Sequence, residues 1–453
     1  MTDAAHRQSK PFEISHRSVL AIAVPMTLAY ISTPLLGLVD TAVVGQFGSA
    51  ALLGGLAVGS VIIALVFTTF NFLRSGTTGL VAQAVGADDE KEKQAILFRA
   101  LAIAIFSGMA MVLLSPVLLW LGLFFMQPTE AVEQATSDYF LIRMLSAPFA
   151  LANYAVLGWL IGIGRSGLAL VIQALLNGTN ILLSLYLGLV LEWQIEGVAI
   201  ATVISEAVTF VAGPVLCWNL LDRSVTPSRQ RFLEGAAWKR LVNLNADIMI
   251  RSFALLFAFA YFAAQGAGFG EVTLAANAVL MQFFLIAGYF LDGLATAAEQ
   301  ICGRAVGANY RQGFWKGFKL TLFWNFAMAM LCSGVFLVFG PALIDMLSTN
   351  SDVRATANTF LLWAALVPLS GVMAFQLDGV FIGATWSRDM SIMMVISLAL
   401  YILLWQFLKV PLENHGLWLS LHAFLMFRGL TLGTRVVPNA QKTFQGSEGP
   451  YPK

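Results

Sequence analysis

The sequence predicts an all-α polytopic membrane protein, in which twelve transmembrane helices form two six-helix bundles related by a pseudo-twofold axis along the membrane normal. Two observations lead to this prediction, an apolar composition and an internal repeat. Of the 453 residues, 58% are hydrophobic and 11% are charged, whereas roughly a quarter of the residues of soluble domains are charged. The composition excludes a soluble enzyme, a nucleic-acid-binding protein and a disordered chain, because lipid is the solvent that suits such a surface.

Twelve apolar stretches are long enough to cross about 30 Å of hydrocarbon as helices. The first stretch is longer than the apolar core of a secretory signal and has no small-residue cleavage site, so we interpret it as a retained span. The last apolar region is divided into two spans. The predicted spans are 18–44, 52–80, 95–126, 137–163, 168–190, 197–221, 240–265, 272–303, 317–341, 354–384, 390–410 and 416–437.

The second half of the chain repeats the first. QAVGA at 83–87 recurs as RAVGA at 304–308, and GWLIGIG at 158–164 matches GVFIGAT at 379–385. An offset of six spans gives both copies the same orientation, which implies two bundles related by an axis along the membrane normal. The predicted organisation is a cytoplasmic segment 1–17, an N-lobe 18–221, a cytoplasmic linker 222–239, a C-lobe 240–437 and a cytoplasmic tail 438–453.

Lysine and arginine residues are distributed unevenly between the two sides of the predicted membrane domain. Twenty of the 26 lie in the N-terminal segment or in connections on the same side, and two lie on the opposite side. Because cytoplasmic connections are enriched in Lys and Arg, we expect both termini to be cytoplasmic. The net charge of +1 predicts no long-range attraction to nucleic acid.

Span 1 contains one acidic residue, Asp40, about 33 Å from Ser18 along an ideal helix. A carboxylate inside a span costs roughly 2.5 kcal/mol or more on insertion scales, so it requires a function or a partner. The matching region of span 7, AFAYFAAQG at 258–266, has no acid, although a scaffold residue should recur in both copies. We therefore predict a functional role for Asp40, with structural capping or pairing as the alternative. Pro25 and Pro34 precede it, and each removes a helical hydrogen bond and favours a kink.

Other polar residues lie in spans 4, 5 and 6. One face of span 5 carries four of them, at spacings of 4, 3 and 4: Gln173, Asn177, Asn180 and Ser184. Such a stripe either lines a wet cavity or forms hydrogen bonds between helices. The remaining polar residues of this group are Tyr139 and Asn153 in span 4 and Thr202 and Glu206 in span 6.

The second half also has ionisable residues within its spans. A stripe of span 8 with spacings of 3, 4 and 3 consists of Tyr289, Asp292, Thr296 and Glu299. Span 10 contains Asp378 in the tripeptide LDG, and neighbouring spans contain Arg251 and Arg428. These residues form either a charge-compensating network within the C-lobe or a second proton or substrate site.

Motifs for other chemistries are missing from the sequence. It has no P-loop, so we expect no use of ATP, and no G-x-S-x-G, HExxH or Cys/His cluster that indicates catalysis. Cys217, Cys302 and Cys332 lie in apolar runs without zinc-ligand spacing. We therefore expect a protein that is not an enzyme and that holds no cofactor and no metal.

Several motifs occur together with the twelve spans: PLLGLVDTAVVG in span 1, [QR]AVGA after spans 2 and 8, LSAP in span 4 and LDGVFIGAT in span 10. In this combination the chain resembles the multidrug and toxic compound extrusion (MATE) family, and its DinF-like branch, over roughly residues 15–437. The resemblance implies a bacterial-type inner (plasma) membrane exporter of organic cations or other amphiphilic compounds. Such an exporter uses inward proton or sodium flow and alternates access between its two bundles. Its expected partners are the substrate and membrane lipid, and we expect a monomer.

The resemblance also assigns roles to residues. Asp40 matches the proton-coupling acid of an N-lobe cavity, and Pro25 matches the proline at which span 1 bends. Many proton-linked members have a second acid one turn beyond the span 5 asparagine, where this sequence has Ser184, and Glu206 is the candidate replacement. The expected substrate cavity consists of Tyr139, Asn153, Asn177, Asn180, Ser184, Thr202 and Glu206.

Two alternatives to a proton-coupled antiporter remain. Family members that bind sodium use acids of spans 7 and 8, so a sodium-coupled exporter is one alternative, with Asp292 and Glu299 as its acids. The corresponding network of possible cation or charge contacts is Arg251, Tyr289, Asp292, Glu299, Asp378 and Arg428. The other alternative is a lipid-handling flippase of similar architecture, because a hydrophobic groove between bundles produces the same sequence pattern.

Overall fold

The computed structural model describes residues 10–225 and 229–445, so parts of the predicted segments 1–17, 222–239 and 438–453 lie outside the described residues. The described chain is helical and contains no strand. A short helix, Arg229–Phe232, follows span 6. The spans are His16–Gly45 (span 1), Ala50–Thr69 with Phe72–Ala87 (span 2), Glu90–Met126 (span 3), Glu130–Met144 with Ala147–Gly162 (span 4), Ser166–Leu183 with the π-helical Ser184–Val190 (span 5), Gln194–Leu220 (span 6), Gly235–Ala267 (span 7), Glu271–Gly307 (span 8), Arg311–Leu347 (span 9), Ser351–Gly383 (span 10) and Ser387–Thr443 (spans 11 and 12).

The number of spans follows from helix lengths and from two breaks. Ten helical stretches of the described residues are long and apolar enough to cross a membrane, and Glu130–Met144 with Ala147–Gly162, which meet at 52°, form an eleventh span. Ser387–Thr443 would be about 85 Å long as a single helix. Glu413 interrupts it with φ of 46° and ψ of −127°, at a position between the predicted spans 390–410 and 416–437. The predicted twelve transmembrane helices are therefore confirmed.

Packing divides the described chain into two compact units. The first unit contains 10–27, 82–88 and 242–445, and the second contains 28–81, 89–225 and 229–241. Many large apolar side chains remain exposed, among them Phe106, Leu113, Phe125 and Phe407, as expected where lipid surrounds the helices. The lobe boundaries 18–221 and 240–437 stay a prediction.

In the second unit, two glycines bring span 4 close to span 2. A Cβ atom at Gly158 would lie 2.3 Å from the carbonyl oxygen of Arg74, and one at Gly162 would lie 2.9 Å from that of Thr78. These distances are too short for any side chain, so the two helices touch backbone to backbone.

The first unit contains the same contact between spans 10 and 8. A Cβ atom at Gly379 would lie 2.2 Å from the carbonyl oxygen of Ala295, and one at Gly383 would lie 2.1 Å from that of Glu299. Each of these residues follows its counterpart in the second unit by 221 positions. The repeat seen in the sequence is therefore also a repeat of helix contacts.

The two copies of the [QR]AVGA motif pack against each other within the first unit. A Cβ atom at Gly86 would lie 2.0 Å from the carbonyl oxygen of Arg304, and one at Gly307 would lie 1.9 Å from that of Gln83. The Gln83 Nε2 also donates to the Gly383 carbonyl oxygen at 2.9 Å. Only residues without a Cβ allow so close an approach, so the motif acts as a packing element.

Candidate functional site

The acid of span 1 is buried in the second unit. Asp40 is 9% exposed, and its Oδ1 accepts a hydrogen bond from the Ser184 hydroxyl at 3.1 Å. Ser184 begins the π-helical segment that ends span 5, and such segments are frequent at functional sites. Gly188 allows spans 1 and 5 to meet, since a Cβ atom on it would lie 2.4 Å from Cγ1 of Val43. A small residue one turn beyond Ser184 thus brings the serine into contact with the acid.

The polar stripe of span 5 forms hydrogen bonds with two neighbouring spans. Gln173 Nε2 donates to Asn177 Oδ1 at 3.0 Å, and Asn177 Nδ2 donates to the Ser32 hydroxyl of span 1 at 2.7 Å. Asn180 Nδ2 donates to the Thr202 hydroxyl of span 6 at 2.9 Å. The stripe therefore connects span 5 to spans 1 and 6, which is one of the two functions that its spacing predicts.

A second acid, Glu206 of span 6, is 8% exposed and contacts span 4. Asn153 Nδ2 donates to its carboxylate Oε2 at 2.7 Å and to its backbone carbonyl oxygen at 3.1 Å. Within the described residues, Oδ1 of Asn153 and Oδ1 of Asn180 are buried without a hydrogen-bond partner. Buried polar atoms are nearly always satisfied, so these two unpaired acceptors are exceptions within the cluster of polar side chains.

An arginine of span 4 belongs to the same site, although the sequence does not single it out. Arg143 interacts electrostatically with Asp40, Tyr139 and Glu206, and its Cζ lies 5.5 Å from the centroid of the Phe67 ring. Its spacing of four residues from Tyr139 puts both on one helix face, which is the signal that could have found it. We call the following residues the polar cluster: Asp40, Tyr139, Arg143, Asn153, Asn177, Asn180, Ser184, Thr202 and Glu206.

A break in span 4 positions this arginine. The first helix ends at Met144, and the second begins at Ala147 at an angle of 52°. Pro148 lies in the first turn of the second helix, where its missing N–H costs no helical hydrogen bond. Arg143 Nη1 donates to the Ser146 hydroxyl inside the break. Its charge lies in the last turn of the first helix, where the helix dipole favours a cation.

Span 1 is helical from His16 to Gly45, through Pro25 and Pro34. The division between the two compact units falls within it, after Thr27. The role of Pro25 as the bending residue stays a prediction.

In the first unit, two arginines converge on one acid. Arg251 and Arg428 each donate from Nη2 to Oδ2 of Asp378, and the distance from Arg428 is 2.6 Å. Asp378 is 4% exposed and Arg428 is 2% exposed. Buried charges persist when they are paired, so charge compensation accounts for these three residues.

The four residues of the span 8 stripe differ in how exposed their side chains are. Thr296 and Glu299 are buried, Tyr289 is half-buried and Asp292 is exposed. Asp292 interacts electrostatically with Arg428, and its carbonyl oxygen accepts a hydrogen bond from the Thr296 hydroxyl at 2.8 Å. A sodium site at Asp292 and Glu299 stays a prediction.

Comparison with known sequences identifies relatives over nearly the whole chain. The MatE family model matches residues 25–186 and 248–405. DNA damage-inducible protein F of Escherichia coli strain K12 is 36% identical over 426 residues, which cover 92% of this chain and 91% of that protein. Protein DETOXIFICATION 44, chloroplastic, of Arabidopsis thaliana is 27% identical over 93% of this chain and 82% of its own length.

Solved structures share the fold. The Vibrio cholerae MATE transporter VcmN in its bent form matches with a TM-score of 0.86 at 18% identity, over 95% of this chain and 97% of its own. A MATE structure in the straight conformation matches with a TM-score of 0.84 at 16% identity, over 97% of this chain and 99% of its own. At these identities the likeness shows the fold alone, and it confirms the predicted twelve-helix, two-bundle class. Because the family model covers most of the chain and a relative is 36% identical across nearly all of it, this multi-pass membrane protein belongs to the MatE family of transporters.

Proposed function

We propose that this protein is a secondary active antiporter of a bacterial plasma membrane that exports organic cations or other amphiphilic compounds in exchange for protons. In this proposal both termini are cytoplasmic, the transporter works as a monomer, and Asp40 is the residue that binds either the substrate or the proton. Relatives named as multidrug resistance proteins, such as the Bacillus anthracis protein that is 24% identical over 87% of this chain, support a role in efflux.

The observation that carries the proposal is the environment of Asp40. Its carboxylate is 9% exposed, yet its direct hydrogen-bond donor is the neutral hydroxyl of Ser184. A buried acid without an ion pair within contact distance is costly in a membrane. The matching region of the other repeat, 258–266, contains no acid, so maintenance of the scaffold does not require one. Function is the remaining reason for its presence.

Protonation of Asp40 couples the two fluxes. The ionised carboxylate attracts a cationic substrate strongly, because the surrounding helices have a low dielectric constant. Addition of a proton removes that charge, and the substrate loses its main attraction. A ligand shifts a conformational equilibrium only through its different affinities for the two states. Proton and substrate therefore drive opposite conformations if each prefers a different one.

Span 1 is the candidate for the moving part. The boundary between the two compact units falls within span 1, two residues after Pro25. Helices commonly kink at proline. The structural relatives named as bent and straight forms support a fold that adopts more than one conformation. In the proposal, span 1 bends at Pro25 when Asp40 is protonated.

The test is transport by the Asp40→Asn variant in proteoliposomes under an imposed pH gradient, with ethidium as the cationic probe. We expect dye transport to be abolished, because an amide neither binds a proton nor attracts a cation. Membrane insertion and the thermal unfolding midpoint should be unchanged. Asp345→Asn, which removes an exposed acid at the end of span 9, is the matched control and should transport normally. Dye transport by Asp40→Asn at the wild-type rate contradicts the proposal.

A further inference from the structure

The two copies of the [QR]AVGA motif touch each other reciprocally. A Cβ atom at Gly86 would lie 2.0 Å from the carbonyl oxygen of Arg304, and one at Gly307 would lie 1.9 Å from that of Gln83. Gly307 follows Gly86 by 221 positions, and Arg304 follows Gln83 by the same number. Such a contact, in which each copy presents the same groups to the other, is typical of a twofold axis. The contact therefore lies at the axis that relates the two copies of the motif.

This contact closes the ends of spans 2 and 8 on each other. Span 2 ends at Ala87 and span 8 ends at Gly307, on the side of the membrane domain that carries the N-terminus. The proposed topology places this side in the cytoplasm. Because the two backbones touch, no substrate passes between these helix ends while the contact persists. Alternating access opens one side at a time, so the two ends have to separate before the cytoplasmic side opens.

The chain before span 1 connects both helix ends. We call residues 10–15, the described residues that precede span 1, the N-terminal strap. The backbone N–H of Lys10 donates to the Ala308 carbonyl oxygen at 3.0 Å, and its Nζ donates to the Ala87 carbonyl oxygen at 3.2 Å and to Asp88 Oδ2 at 3.3 Å. A cation is favourable at the C-terminal end of a helix, where carbonyl groups lack helical partners. One residue thus binds the ends of spans 2 and 8 together.

An aromatic side chain provides the second attachment of the strap. The Phe12 ring centroid lies 4.2 Å from Cζ of Arg304, the residue whose carbonyl oxygen meets Gly86. The same ring packs edge-on against Tyr310, with centroids 6.0 Å apart at 68°. Contacts of a guanidinium with an aromatic face and of two rings edge to face are both attractive. Ile14, which follows, is 2% exposed, so the strap is packed against the first unit.

The strap occurs in one half of the repeat only. The residues 221 positions later, 231–236, belong to the second compact unit. There Arg99 of span 3 donates to the carbonyl oxygens of Arg231 and Phe232, the latter at 3.3 Å. A segment that the repeated scaffold requires should make the same contacts in both copies. The contacts of the strap therefore call for a reason outside the scaffold.

We propose that the N-terminal strap stabilises the form in which the ends of spans 2 and 8 touch, so that opening toward the cytoplasm requires release of Lys10 and Phe12. The inference goes beyond coupling at Asp40 and rests on the proposed function for the direction of opening. A ligand that binds one form only has an apparent affinity that scales with the population of that form. The strap thereby sets the apparent affinity for a substrate offered from the cytoplasm.

The first experiment measures hydrogen–deuterium exchange of the purified protein in nanodiscs, because local opening exposes backbone amides to exchange. The variant combines Lys10→Gln with Phe12→Ala. We expect amides of 82–88 and 304–310 to exchange roughly two- to fivefold faster than in the wild type, the effect of losing a cation–π contact near the surface. Amides at the opposite ends of the same spans, 50–56 and 271–277, should exchange at the wild-type rate.

Three controls separate release of the strap from general destabilisation. Phe12→Trp keeps an aromatic face for Arg304, and Lys10→Arg keeps the cation, so both should behave as the wild type. Lys442→Gln removes an exposed lysine near the other end of the chain and is the matched control. The double variant should keep the wild-type unfolding midpoint. Unchanged exchange at 82–88 and 304–310, or equal acceleration at both ends of the spans, overturns the proposed role of the strap.

The second experiment measures ethidium uptake into inside-out membrane vesicles, which present the cytoplasmic side to the dye. The KM for ethidium should fall roughly two- to fivefold in the double variant, because more of the protein is open toward the dye. Faster exchange with an unchanged KM shows that the strap does not control substrate entry, which contradicts the inference.

The outcomes distinguish this inference from the proposed function. If Asp40→Asn loses transport but the double variant exchanges as the wild type does, the role of the strap is wrong and the antiporter proposal stands. If Asp40→Asn transports at the wild-type rate but exchange at 82–88 and 304–310 is faster in the double variant, the strap stabilises the closed ends and the coupling at Asp40 is wrong.

Discussion

At the level of single residues, the buried acids differ in the charge of their hydrogen-bond donors. Asp378 accepts from two arginines. Asp40 accepts from the Ser184 hydroxyl, and Glu206 accepts from the Asn153 amide. An acid that two guanidinium groups contact is a structural element, because its charge is already compensated. Asp40 and Glu206 both have neutral donors, and we propose coupling at Asp40 because it matches the proton-coupling acid that the family resemblance implies.

The paired acid allows a prediction about stability. Asp378→Asn leaves two arginines buried without their counter-charge, so the variant should be less stable by about 3–5 kcal/mol. Thermal unfolding in detergent checks this result, with Asp345→Asn, which removes an exposed acid, as the control. An unchanged midpoint for Asp378→Asn would show that the three-residue network does not hold the first unit together.

At the level of helices, glycines decide which spans approach one another. Gly158 and Gly162 bring span 4 to span 2, and Gly379 and Gly383 bring span 10 to span 8. Helices in lipid gain little from hydrophobic burial against each other, so close packing of small residues contributes much of their association. The repetition of these contacts explains why GWLIGIG and GVFIGAT have glycines at corresponding positions.

The glycine contact of the [QR]AVGA motif gives a second stability prediction. A Cβ atom at Gly86 would lie 2.0 Å from a backbone carbonyl oxygen, so Gly86→Ala should destabilise the protein by about 1–3 kcal/mol through overpacking. The matched control is Gly334→Ala in span 9, where nothing lies within 4 Å of the added atom. That variant should gain about 0.5–1 kcal/mol, because alanine loses less backbone entropy in a helix than glycine. Equal unfolding midpoints for the two variants would contradict the packing role of the motif.

At the level of the whole molecule, the identity of the coupling ion depends on which of the two units binds it. The second unit contains an acid with a neutral hydrogen-bond donor, Asp40, and the first unit holds Asp378 between two arginines. The proposed coupling at Asp40 implies protons bound in the second unit, whereas the sodium-coupled alternative uses Asp292 and Glu299 of the first unit. We therefore expect an imposed pH gradient without a sodium gradient to drive ethidium transport in proteoliposomes, and a sodium gradient without a pH gradient to drive none.

The reverse result would support the sodium-coupled alternative, and Asp292→Asn and Glu299→Gln would then be the variants to measure. Transport of a fluorescent lipid in place of ethidium would support the flippase alternative. The unfolding midpoint measured with dyes and with lipid precursors tests the same two substrate classes. A ligand that binds the folded state raises this midpoint.

The candidate site was predictable only in part. Asp40 stands out because it is an acid within an apolar span and has no counterpart in the repeat, and both features can be read from the sequence. The span 5 stripe is likewise a local pattern, and its members do form hydrogen bonds with spans 1 and 6. Arg143 was harder to recognise, because it lies at a helix end, where arginines are common. Its importance depends on a break in span 4 and on two acids of other spans.

The sequence by itself determined the membrane class, the twelve spans and the repeat, because hydrophobicity over about 20 residues and recurrence at a constant offset are properties of the chain alone. The tertiary structure decided which polar side chains meet. Ser184 reaches Asp40 across 144 positions of sequence, and Asn153 reaches Glu206 across 53. Such contacts depend on how non-adjacent helices pack, and glycines at the points of closest approach control that packing. The hydrogen-bond partner of each of these buried acids therefore follows from the fold.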